Sequence, residues 1–275
     1  MNASEAKALP IGVFDSGVGG LTVLKALRNA LPHENLIYLG DTARLPYGTK
    51  SPASISRYAS QATAQLQRHG IKLLVVACNT ASAVALDSLR EQMGPLPVIG
   101  VVEPGAAAAV AARPGGRHLV LATEATVRLG AYRRAILEID PLAQVDELAC
   151  ELLVSLAEEG WNNGVIAEAI VNRYLDQLDT ASRNPDSVIL GCTHFPLLRE
   201  TFTSVFDSAV SIVDSASTTA AAAHELLETL HIGNQQEVRG GLKLLATDGA
   251  TRFARVGGQF LGEDLAADDV TLVDL

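Results

Sequence analysis

The amino-acid sequence predicts an α/β protein. Short apolar runs alternate with longer amphipathic stretches along the chain. Several of those runs end in a cluster of small and polar residues, as strands do when a loop leads into a helix. Segments of helical length separate them, including the alanine run Ala106–Ala109, which reads as helix because alanine has the highest helix propensity.

In chain order, the β-type runs are Ile11–Phe14, Leu36–Leu39, Leu73–Ala77 and Val98–Val102, followed by His118–Ala122, Gln144–Leu148, Ser187–Leu190, Ser211–Val213 and Lys243–Ala246. Four of them run into polar clusters: Asp15-Ser16-Gly17, Gly40-Asp41-Thr42, Cys78-Asn79-Thr80 and Gly191-Cys192-Thr193. Open parallel sheets collect ligands at the carboxyl ends of their strands, so four such clusters suggest one composite site. A boundary is expected near Glu103-Pro104-Gly105. Two segments, LLVVACNTAS and SVILGCTHFP, each place a Cys and a Thr directly after an apolar strand. They read either as a chance likeness of strand ends or as two half-sites facing across a cleft.

At 275 residues, 48% hydrophobic and 19% charged, the chain can build one large domain or two ordinary ones. No run approaches the roughly 18–20 uncharged residues of a membrane span. The first ten residues lack the basic-then-apolar pattern of a secretory leader, so a cytoplasmic protein without a membrane partner is expected. A net charge of -10 argues against nucleic acid, whose phosphates call for clustered Lys and Arg. Three cysteines without a C-x-x-C pair suit neither a disulfide framework nor a zinc site, and no metal is expected.

The run from Ile11 to Gly20 is a strand entering a glycine-rich turn. Backbone N–H groups exposed there suit an anion, while the same pattern also serves as a tight structural turn. It is a poor dinucleotide fingerprint, because Thr22 stands where the third glycine belongs, and it lacks a P-loop ending. Asp15 adds a carboxylate for proton traffic or for holding an ammonium group. Cys78 at a strand-to-helix junction can have its thiolate favoured by the helix N-terminus, with Asn79 and Thr80 as neutral hydrogen-bonding neighbours. Taken alone it fits an inert buried thiol better than a catalyst. Cys192 has His194 two residues away, and an imidazole can lower a thiol pKa or relay its proton. Cys150 has only Glu151 for company and reads as structural.

Two such thiols have a chemical use together. Inverting an α-carbon without a cofactor needs a base on one face and an acid on the other, and like groups can exchange roles for the reverse reaction. A thiol near pKa 8.5, at about that reference value, is close enough to neutrality to serve.

Asp-Ser-Gly-Val-Gly-Gly-Leu-Thr-Val at 15–23, Gly-Asp-Thr-Ala-Arg-Leu-Pro-Tyr-Gly at 40–48, Ala-Cys-Asn-Thr-Ala at 77–81 and Gly-Cys-Thr-His-Phe-Pro at 191–196 together resemble the glutamate racemase family. Likeness extends through Leu121–Val127, Val213–Ala216 and Ala246–Asp248, almost the whole chain. The resemblance implies two similar α/β domains with largely parallel sheets and an active site in the cleft between them. Residues 1–101 plus 211–275 would form the first, and residues 102–210 the second. It implies Cys78 and Cys192 as paired acid/bases, with Asp15 assisting Cys78 and His194 assisting Cys192. Substrate contacts would fall on Asp15, Ser16, Tyr47, Gly48, Asn79, Thr80, Thr193 and His194, with Thr123 a further candidate. The substrate would be L- or D-glutamate, D-glutamate serving bacterial peptidoglycan, with no cofactor and a homodimer as the assembly.

The chain departs from the family pattern at Leu129, where a serine is usual, and at Glu151 and Ser155, where prolines are common. The family's glutamate aligns with Glu158, beside Glu159. Competing readings are an aspartate or broader racemase using the same thiols, a nucleotide-binding module built on the glycine turn, and a non-catalytic regulator on the same fold.

Overall fold

Continuous apolar strands separated by helices should pair in parallel, because each crossover helix covers a face and leaves the strand buried on both sides. A computed structural model describing residues 3–275 has that architecture. Its strands are β1 (Ile11–Asp15), β2 (Leu36–Gly40), β3 (Leu73–Val76), β4 (Val98–Gly100), β5 (Arg117–Ala122), β6 (Gln144–Ala149), β7 (Ser187–Gly191), β8 (Ser211–Asp214), β9 (Leu242–Ala246) and β10 (Val270–Leu272). Six form one sheet in the order β10-β9-β2-β1-β3-β4, and four form a second in the order β6-β5-β7-β8. Every pairing is parallel.

Each residue of β1, β2, β3 and β7 is buried. Alternate residues go to opposite faces, as the period of two requires. Ile11 and Val13 join the core formed with Leu21, Leu24 and Phe253, whereas Phe14 joins the one formed with Ile55, Ala59 and Leu66. In the second sheet Leu119 and Leu121 face Phe195 and Phe202, while Val120 and Ala122 face Ala106 and Tyr132. The helix Leu21–Ala30 is amphipathic and turns Leu21, Leu24 and Leu27 inward. Each such fully buried side chain contributes about 1.5–3 kcal/mol of transfer free energy.

Strand order positions the site. From β1 the chain moves to β2 on one side and later to β3 on the other, which opens a crevice between β1 and β3. The second sheet repeats the plan, with β6 and β7 flanking β5. The register levels the ends: Phe14 lies opposite Val76, and Ala122 opposite Gly191. The two cysteine-bearing segments therefore follow equivalent strands, the third in chain order of each sheet.

Several sequence expectations are corrected. The strand at 98 stops at Gly100, and Val102 opens the helix Val102–Ala112, with Pro104 in the first turn where its missing N–H costs nothing. The boundary expected at Glu103–Gly105 thus falls inside a helix. The segment 211–275, assigned whole to the first unit, begins with β8, whose Ser211 and Ile212 pair with Ser187 and Val188 of the second sheet. The return to the first sheet begins at the helix Ser215–Thr229, capped by Asp214 accepting from the Ser217 N–H at 2.8 Å. The edge strand β10 is too short to stand out in sequence, and only its Val270 is buried. Among the described residues no helix is long and apolar enough to cross a membrane.

Candidate active site

The turn after β1 is built around Asp15. Its carboxylate is 1% exposed and accepts from the Gly17 N–H at 2.9 Å, and the Gly20 and Ser16 amides also stabilise its charge. Burial raises its pKa, and the nearby His194 and these amides work against that rise. The second oxygen, Oδ1, has no hydrogen-bond partner. The glycine turn therefore directs its amides to a carboxylate of the same chain. That answers the nucleotide-cradle reading. Thr22, the residue that spoils a dinucleotide fingerprint, donates its hydroxyl to the Thr193 carbonyl at 2.8 Å, joining the β1 turn to the β7 turn.

Cys78 is the N-cap of the helix Asn79–Met93, and its sulfur accepts from the Ala81 N–H at 3.4 Å. Its thiol donates toward Ser16 Oγ at 3.5 Å. The Asp15 carboxylate acts on this thiol through its charge rather than through a hydrogen bond to the sulfur. Burial first, and the Asp15 charge second, push the thiol pKa up to about 12, against the cap interactions.

Cys192 follows β7. Its sulfur lies 3.7 Å from His194 Nδ1, and the other ring nitrogen, Nε2, is 3.2 Å from Glu158 Oε1. Glu158 Oε2 in turn accepts from Arg252 Nη2 at 2.7 Å. The hydrogen bond from His194, with help from Arg252, holds the Glu158 carboxyl at a pKa of about 2 despite partial burial. An ionised Glu158 favours the Nε2–H tautomer of the imidazole, which leaves the unprotonated Nδ1 on the side of the Cys192 sulfur. Burial raises the Cys192 pKa, and the charges of Cys78 and Asp15 add to the rise. The two thiols thus lie in each other's field, at 5% and 6% exposure. Phe260 meets the His194 ring edge-on, with centroids 5.1 Å apart.

The other expected residues line the same junction, several with their polar atoms already committed. Tyr132 OH donates to Asn79 Oδ1 at 2.6 Å. Thr80, Thr123 and Thr126 form a buried hydroxyl cluster joining the two halves, at 2.9 Å between Thr80 and Thr123 and 3.0 Å between Thr123 and Thr126. The Gly48 carbonyl accepts from the Ala125 N–H at 3.1 Å. Tyr47 donates its hydroxyl proton to Asp41 Oδ2 at 2.6 Å, which leaves the phenol oxygen as an acceptor. Ser16, Asn79, Thr193 and His194 all lie beside one or other thiol.

Sequence reasoning passed over Arg252, Tyr132 and Thr126, and placed Glu158 only through the family alignment. None has a local signature, because a Glu and an Arg on amphipathic helices look like solvated surface. Glu151, one of the departures, accepts from the Glu124 N–H at the start of the helix Glu124–Leu129. Cys150 also ends a second-sheet strand, but its sulfur is enclosed by core residues such as Leu153 and Leu190. No group of three or more His, Cys, Asp or Glu among the described residues is arranged to hold a metal ion.

Residues 11–223 match the Asp/Glu/Hydantoin racemase family. The chain is 46% identical to the glutamate racemase of Geobacter metallireducens over 265 residues, 96% of each chain. Among solved structures, it resembles the glutamate racemase of Francisella tularensis in complex with D-glutamate, at 34% identity and a TM-score of 0.89 over 98% of both chains. It also resembles that of Thermus thermophilus in complex with beta-chloro-D-alanine, at 42% identity and a TM-score of 0.86 over 98% of both. With a buried thiol after the equivalent strand of each of its two parallel sheets, the chain belongs to the Asp/Glu/Hydantoin racemase family and is an amino-acid racemase of the glutamate racemase type.

Proposed function

We propose that this chain interconverts L- and D-glutamate by moving a proton between Cys78 and Cys192, and that its D-glutamate feeds peptidoglycan synthesis. The observation that carries the reading is the pair of buried thiols on opposite sheets, each with its own polar partners: Ser16 and the Ala81 amide for Cys78, His194 with Glu158 for Cys192. The relative bound to D-glutamate supports the choice of substrate.

Burial raises both thiol pKa values, so a thiolate needs compensation before it can act. His194 supplies it for Cys192, becoming the imidazolium as the thiol loses its proton. A bound amino acid brings its α-ammonium group, a positive charge within reach of Asp15 and of the thiols. The thiolate removes the α-proton from one face while the opposite thiol delivers its proton to the other. Hydrogen-bond donors fixed beside the thiols offset the charge developing on the substrate, where such preorganised groups act more strongly than in water. Running the reaction backwards exchanges the two roles. The reading carries a homodimer with it, which sedimentation would test.

The test is exchange of the α-proton in deuterium oxide with each enantiomer of glutamate, on wild type, Cys78→Ser and Cys192→Ser. Wild type exchanges and interconverts both enantiomers, and each variant loses racemisation. Full racemisation by either variant overturns the two-thiol mechanism. Faster turnover of L-aspartate than of L-glutamate overturns the substrate.

A further inference from the structure

We propose that Arg252 is a positioning residue for the Cys192 side of the reaction. It reaches from the first-sheet half and completes the Cys192–His194–Glu158 relay only when the cleft is closed. This rests on the two-thiol reading.

Arg252 lies on the helix Ala250–Leu261, which packs against Leu21–Ala30 and β10 of the first-sheet half. Glu158 ends the helix Leu152–Glu158, whose Leu153 and Leu156 belong to the core under the second sheet. The Arg252–Glu158 ion pair at 2.7 Å therefore spans the two halves. A second contact joins the same helix to the same relay. Phe260, eight residues after Arg252 and so near the same helix face, packs edge-on against His194. One side chain of this helix holds the imidazole ring, and the other holds the carboxylate that the ring donates to.

The proton bookkeeping shows why the guanidinium matters. When the Cys192 thiol passes its proton to His194 Nδ1, the products are a thiolate and an imidazolium. The imidazolium keeps its Nε2–H on Glu158 Oε1. If Glu158 took that proton, the thiolate would face a neutral imidazole and lose its counter-charge. Arg252 opposes this by holding Oε2 and favouring the ionised carboxylate. It also stops the carboxylate rotating away from the ring, since each oxygen has its own partner. Arg252 is half exposed and comes from the other half of the molecule, so separating the halves to admit substrate releases Glu158 and slackens the relay. The acid–base group is then set only in the closed enzyme, where solvent cannot quench it.

The experiment compares Arg252→Ala, Arg252→Lys and, as a control one turn further along the same helix, Arg255→Ala, which is also exposed. Racemisation is followed in both directions with α-protonated and α-deuterated glutamate across pH. Arg252→Ala should lower kcat roughly tenfold, a part of the hundredfold or more that a positioned acid–base group contributes. Its primary isotope effect should rise only in the direction that His194→Asn also perturbs, and its acid limb should move to higher pH. Arg252→Lys should recover most of the loss, and Arg255→Ala should match wild type. The proposal is overturned if Arg252→Ala stays within about twofold of wild type, alters both directions equally, or is not improved upon by lysine. Racemisation surviving in Cys192→Ser would instead overturn the two-thiol reading, whatever Arg252 does.

Discussion

Replacing Gly19 by alanine tests how closely the two half-sites must meet. A Cβ on Gly19 would lie 2.5 Å from His194 Cε1 and Nδ1, and would also press on Thr193 Oγ1. Gly19 is not among the glycines with positive φ, so alanine suits its backbone and only the contact is in question. Carbon atoms rest about 3.5–4.0 Å apart, so the imidazole or the whole β7 turn must retreat by about 1 Å. A misplacement of that size in a catalytic group costs about 100-fold in rate. The stability cost should be smaller, about 1–3 kcal/mol for an overpacked contact, and lower if the halves separate slightly. The assay is circular dichroism of racemising L- and D-glutamate, beside thermal unfolding of the same sample. Gly19→Ala should melt within about 10 °C of wild type, folded at assay temperature, yet lose most of its kcat. Activity above about a third of wild type would refute the argument that this glycine exists to admit His194.

Two further predictions concern the frame. Glu34 and Lys72 form a buried ion pair at 2.5 Å, each side chain 4% exposed, and Lys72 also donates to the carbonyls of Lys7 and Ile232. Glu34→Gln leaves Lys72 uncompensated and should cost about 3–5 kcal/mol by urea unfolding, while replacing both residues by methionine should recover most of it. A double variant as unstable as the single one would refute this. His118 is buried with Ser187 Oγ 2.7 Å from Nδ1 and no partner on Nε2, and burial lowers its pKa despite the nearby Asp186 and Asp140. Its neutral form is favoured in the folded state, so the unfolded chain binds the extra proton. The stability it contributes is present above about pH 6.5, the unfolded value, and is lost as pH falls through the lower folded value. His118→Gln should flatten the acid side of the stability profile; an unchanged slope would refute the assignment.

Nine of the ten strands among the described residues were legible in the sequence, because most are short, largely apolar runs, and four of them end in a recognisable polar turn. The tenth, β10, presents only Val270 to the core and so has no pattern to read. Cys78, Cys192, Asp15 and His194 were legible because each sits at a strand end, where chain order and spatial position coincide. Arg252 and Tyr132 were not, since their importance comes from helices brought in from distant segments. Their partners, Glu158 and Asn79, lie far away along the chain. The boundary at 211 failed for a similar reason. Ser211–Asp214 is a good strand by pattern, but which sheet it joins depends on the free edge of β7, which no local pattern records.

By itself, the sequence determined an α/β chain with two thiols at strand ends, a carboxylate beside one and an imidazole beside the other, and the family to which that set belongs. Only the tertiary structure decided how those groups are wired. It turned the glycine amides inward to Asp15, gave Thr22 a partner in the opposite turn, emptied the space at Gly19 for His194, and set Glu158 and Arg252 behind the imidazole. The physical reason is range. Apolar periodicity and strand-end chemistry act over a few neighbouring residues and leave their mark in order, whereas hydrogen bonds and charges act over a few ångströms between residues that only folding makes neighbours.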